Sequence, residues 1–148
     1  LPGGQNSKIN EFTGLLGSLE CDRVHDRIKK RNKLLLRYVE NLKDTSYEVV
    51  TQDTGYCSYY KCILKSNLDR VKLRSFCKKN GVSMTGEVYS RPVHKQPLYS
   101  FAKITDLPNT EKIAKIHVCP PLYPELEIEH IDYVCKVLIE AEKLGENL

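Results

Sequence analysis

The sequence has no apolar run near the roughly 20 residues that a helix needs to cross a bilayer, so no membrane-spanning helix is expected. Residues 1–14 are polar and contain glycine, which is not the pattern of a secretory leader. Met84 is the only methionine and the first residue is Leu1. The chain therefore reads as a processed product or a piece of something longer. Six cysteines occur without a CxxC pair, and His25 and His117 stand at no zinc-type spacing from them, so no metal site is expected. GxGxxG, P-loop and GxSxG signatures are all missing, and GLLGSLE at 14–20 is only a helical stretch with glycines. Ser, His and Asp occur, but nothing gathers them into a triad. Taken alone, the residues supply no complete catalytic set.

What is present suits one modest domain. The 148 residues are 41% hydrophobic and 28% charged, ordinary for a globular protein. The net charge is +4, and most of that excess lies in one helical stretch, at Arg23, Arg27, Lys29, Lys30, Arg31, Lys33 and Arg37. No nucleic-acid motif accompanies these cations. They read as the solvated face of an amphipathic helix, and no nucleic-acid partner is expected. Cys77 and Cys135 fall on apolar helical stripes, where cysteine acts as a small hydrophobe, so reduced thiols and a cytoplasmic protein are expected.

Periodicity predicts the elements. Ile9, Phe12, Leu15, Leu16 and Leu19 recur at helical spacing over 7–19, with Gly14 and Gly17 weakening the helix by about 1 kcal/mol each. Those glycines also permit close packing, so this helix seeks a partner surface outside the chain. A second helix is predicted over 22–43 from Val24, Ile28, Leu35, Tyr38, Val39 and Leu42. YEVVTQ (47–52) and YCSYYKCILK (56–65) read as strands joined by Asp53-Thr54-Gly55 turn chemistry. Asn67 is a candidate cap for a helix over 68–79, which Asn80-Gly81 stops. Residues 82–89 look extended, 109–115 give a short helix or turn, 114–119 alternate as a strand, and 127–143 form the last helix. Glu125, Glu127 and Glu129 near its start complement the helix dipole. The fold class expected is α/β, a two-layer sandwich in which helices cover a few-stranded, mostly antiparallel sheet.

The stretch GEVYSRPVHKQPLYS (86–100) stands apart. Two prolines flank His94 and exclude a central strand or a helix interior, so a rigid extended segment is expected. Four stretches together resemble one family, the PLP-dependent sugar aminotransferases of the DegT/StrS type. GGQNSKINEF (3–12) is similar to that family's G-x-N-x-(K/R)-(M/I)-x-E segment, and CSYYKCILK to its first small-domain strand. FCKKNGVSMTGEVYSRPVHKQPLY (76–99) resembles its Y-x-x-P-x-H-x-Q-P segment, and LPNTEKIAKIHVCPPLYPELEIEHIDYVCKVL (107–138) its closing LP-x-(S/T)-E…LPLYP segment. Thr13-Gly14, Pro120-Pro121 and the basic Ser90-Arg91 and Lys95 depart from the usual pattern.

The resemblance implies the C-terminal small domain of a fold-type I enzyme. Residues 1–45 would be a helical segment packing on, or linking to, a large domain that carries the Schiff-base lysine, and 46–148 the small domain. Pyridoxal 5'-phosphate, a sugar-nucleotide substrate, glutamate as amino donor and a homodimer come with it, as does an inactive isolated piece. Residue by residue, Asn6 matches the asparagine that reaches the cofactor phosphate across the dimer. His94 and Tyr89 match the substrate side. Lys8 holds the motif's basic position and, with Gln96, is a weaker candidate; it is not the Schiff-base lysine. His94 is expected to face solvent or a neighbour when the large domain is absent. Two alternatives remain: a sugar dehydratase of the same family, and a free-standing interaction or regulatory domain.

Overall fold

The computed structural model describes residues 8–53, 55–84, 86–101 and 106–145. One helix, α1 (Glu11–Leu42), replaces the two expected. Neither proline nor glycine lies between Leu19 and Asp22, so nothing there ends a helix. Asn10 caps its start by accepting the Thr13 N–H at 2.8 Å. The two halves of α1 differ sharply. From Ile28 onward it sinks Ile28, Leu34, Leu35, Tyr38 and Leu42 into the core, whereas every side chain from Glu11 to Asp26 is exposed.

Three two-residue strands form an antiparallel sheet in the order β1 (Glu48–Val49), β2 (Leu64–Lys65), β3 (His117–Val118). Val49 pairs with Leu64, and Leu64 with Val118. The strands are much shorter than the sequence predicts. Tyr56 and Tyr60 stand in solvent, so their strand propensity has no partner to act on. Among the described residues of 82–89 none joins the ladder. Instead Val82 and Met84 anchor that segment in the core.

Helix α2 (Arg70–Lys79) is capped by Asp69, not Asn67, because the Asp69 carboxylate is the group that reaches the Lys72 N–H, at 2.9 Å. Its end follows expectation. Gly81 has φ +73°, the Val82 N–H reaches Cys77 O and the Gly81 N–H reaches Lys78 O, a Schellman arrangement. The prolines at 92 and 97 start two 3-10 turns, Val93–Lys95 and Pro97–Tyr99, so the segment expected to be extended is folded back on itself. Helix α3 (Pro108–Ile116) leads straight into β3, and α4 (Ile128–Leu144) closes the chain.

The core lies between the sheet and the helices. Leu64 and Val118 meet Leu34, Leu35 and Tyr38 of α1, Leu73 and Cys77 of α2, and Ile131, Val134 and Leu138 of α4. An α/β two-layer architecture results. Arg37 ties α1 to α4 with a fork onto Asp132 (2.6 and 3.0 Å), to which Asn41 also donates. All six cysteines are free thiols. Burial pushes Cys77 and Cys135 up to about 11, so both act as apolar fill. Among the described residues no helix is long and apolar enough to cross a membrane.

Candidate substrate-side loop

Strand alternation fixes where this site lies. Val118 points into the core, so its neighbour His117 points to the opposite face of the sheet, as does Lys65. Helix α3 covers that face, and the 86–101 loop docks against α3. Two motifs far apart in the sequence meet there. His94 Nε2 lies 3.1 Å from Glu111 Oε1, and Lys95 Nζ lies 3.1 Å from the same oxygen. His94 and Lys95 hold the Glu111 carboxyl below its usual value, His94 being the larger cause.

His94 is therefore not turned to solvent. Its side chain is only 8% exposed. The 3-10 turn after Pro92 swings the imidazole inward, and the first turn of α3 supplies an internal acceptor. Nε2 faces the Glu111 carboxylate and so carries a proton, while Nδ1 has no protein partner among the described residues. Gln96 has a local role: its amide donates to Arg91 O at 3.1 Å and closes the turn.

Tyr89 is 71% exposed and stands at the mouth of a cavity of about 480 Å³ between loop and helix. Arg91, Val93, Asn109, Ile113 and His117 also line it. The His117 Nδ1–H donates to Ile113 O at 2.7 Å, while its Nε2 is buried without a protein partner. Among the described residues no lysine lines this cavity, so none of those side chains could form an imine with a carbonyl cofactor.

The sequence candidates thus divide. Tyr89 and His94 share one loop, Lys8 is exposed ahead of α1, and Asn6 lies outside the described residues. Glu111 was absent from the sequence candidates. Its signal was present in LPNTE, but spacing alone does not say that this glutamate receives the histidine of another motif.

Comparison with known proteins matches the same stretches. The model of the DegT/DnrJ/EryC1/StrS aminotransferase family covers residues 3–139. A pleiotropic regulatory protein of Geobacillus stearothermophilus is 27% identical over 143 residues, 93% of this chain and 38% of its own. The dTDP-4-amino-4,6-dideoxy-D-glucose transaminase of Shigella dysenteriae is 23% identical over 145 residues, 94% of this chain and 40% of its own. Among solved structures, DesI in the presence of its TDP-sugar product superposes with a TM-score of 0.83 at 22% identity, over 95% of this chain and 37% of that one. The chain thus spans about two fifths of the length of the curated relatives it matches.

Proposed function

Given that the chain belongs to the DegT/DnrJ/EryC1/StrS aminotransferase family, we propose that it is the C-terminal part of a PLP-dependent sugar aminotransferase. In that role it supplies the substrate side of the site rather than the chemistry. The observation that carries this reading is the family match over residues 3–139, which runs through all four motif segments. Pyridoxal phosphate would supply the electron sink for amino transfer, from glutamate to a keto-sugar nucleotide.

The chain's own residues bind and orient. His94, fixed by Glu111, offers Nδ1 to a sugar hydroxyl, and Tyr89 flanks it. Asn6 would act at the cofactor end, reaching the phosphate across a homodimer interface, and Lys8 would be a weaker contact on the substrate side. Residues 1–45 join the small domain, 46–148, to the rest of the enzyme. The bare apolar stripe Phe12, Leu15, Leu16 and Leu19, 44–71% exposed, is the surface that rest would cover. The protein works in the cytoplasm.

The test compares two proteins. The 148-residue chain incubated with pyridoxal phosphate is expected to show no Schiff-base absorbance. The chain joined to its upstream coding sequence is expected to show that absorbance and to move nitrogen from glutamate to a keto-sugar nucleotide. An imine band on the short chain that disappears when one of its lysines is replaced would overturn the proposal.

The name of the Geobacillus relative favours a second reading, a regulatory protein on the same fold. Absence of transamination in the longer protein, with pyridoxal phosphate bound, would select it.

A further inference from the structure

Among the described residues the Arg31 Nε has no acceptor. It projects from α1 into a cavity of about 700 Å³, half-buried, with its Nε shut off from solvent and unpartnered. Nearby cations are spoken for: Arg27 pairs with Glu20, Lys30 with Glu127 and Arg37 with Asp132. Arg31 has no ion pair among the described residues. A buried donor left unpaired costs about 1–3 kcal/mol, and more when charged, so a guanidinium in this setting calls for an acceptor.

The other walls point the same way. Lys61 lines the cavity, with its ammonium 5.5 Å from the Tyr60 ring and no ion pair among the described residues. His130 accepts the Glu127 N–H through Nδ1 at 3.0 Å, so its neutral ring carries the remaining proton on Nε2, as a donor. The Tyr133 hydroxyl is taken by Asn80 O at 3.0 Å, which leaves its ring as apolar wall beside Pro120-Pro121. Among the described residues Glu129 is the single carboxylate of the lining, exposed and paired with neither cation. Two cations against one carboxylate leave an excess positive charge over an apolar floor.

We propose that this cavity binds a small ligand bearing an oxyanion, phosphate or carboxylate, on an apolar or aromatic body, with Arg31 as its forked anchor. Lys61 adds charge at the rim. The proposal rests on the cavity alone and requires no part of the aminotransferase reading.

The experiment titrates the ¹⁵N-labelled 148-residue chain with phenyl phosphate, benzoate and benzyl alcohol, following the Arg31 Nε–Hε signal and the Lys61 and His130 amides. At least one anion is expected to move all three signals with a Kd of about 1 mM, while the alcohol leaves them still. Which anion binds more tightly names the oxyanion. Arg31→Gln is expected to weaken binding about tenfold, and Glu129→Gln to tighten it about twofold by removing the opposing charge. Should Arg31→Gln fail to fold, Lys61→Ala at the rim carries the same expectation at about threefold. Equal binding of benzyl alcohol, no movement at Arg31 with either anion, or shifts indifferent to these substitutions would overturn the proposal.

Discussion

Tyr38 shows how a single polar atom is managed in this core. The ring is fully buried, and its hydroxyl donates to Pro121 O at 2.8 Å, which links α1 to the loop before α4. Burial raises its pKa well above the ordinary phenol range, so the hydroxyl keeps its proton and can donate it. Tyr38→Phe leaves the Pro121 carbonyl without its partner and should cost about 1 kcal/mol, read as a lower urea midpoint at unchanged slope. Glu111 carries a pH dependence instead. Its folded value is lowered, so its contribution is complete above the ordinary carboxylate value and is lost as pH falls through the folded one. The amides of residues 93–96 should therefore shift together on the acid side, reporting release of the loop. Glu111→Gln should abolish that transition, and a transition that persists would assign the docking to other contacts.

Among the elements, α1 and the turn after α2 expose glycine's two faces. Gly81 sits at φ +73° with no atom within 4 Å of an added Cβ. Gly81→Ala therefore meets no steric contact and should cost only the left-handed backbone penalty, about 1–2 kcal/mol, measurable by thermal or urea unfolding. Gly14 and Gly17 also have open space around them, but their backbone is helical. Both replaced by alanine should raise helicity in the far-ultraviolet spectrum, each by a local gain of about 1 kcal/mol. The helices were legible because hydrophobic spacing over ten or more residues averages out local exceptions. Cys77, Ile131 and Leu138 are buried where that spacing puts them, whereas Val71 is exposed and Leu73 takes the buried position on its helix. Strand lengths were not legible, since a ladder depends on a partner that sequence propensity does not name. Tyr56 and Tyr60 have the right chemistry, but among the described residues neither lies in a strand. The His94–Glu111 contact was hidden for the same reason, being long-range, 17 residues apart and set by two 3-10 turns. The Arg31 cavity left no trace, because an arginine on a charged helix face looks solvated until the loop at 119–123 folds over it.

At the scale of the whole molecule the two halves of α1 have opposite environments, and this makes the proposed arrangement measurable by stability alone. Phe12 is 71% and Leu16 48% exposed, so neither contributes much to the fold of these 148 residues. Phe12→Ser and Leu16→Ser should each change the unfolding free energy of this chain by less than about 0.5 kcal/mol, as surface substitutions do. Leu138, fully buried on α4, is the internal reference. Leu138→Ala should cost about 2–5 kcal/mol in the same assay. In a longer protein whose additional domain covers the α1 stripe, the first two substitutions move into the core class. They should then cost a few kcal/mol each, approaching the reference. The difference between the two proteins isolates burial by the added domain, because helix propensity and local charge are the same in both. If the α1 substitutions stay neutral in the longer protein, the stripe is not the surface that the remainder of the enzyme covers, and the link assigned to residues 1–45 falls with it.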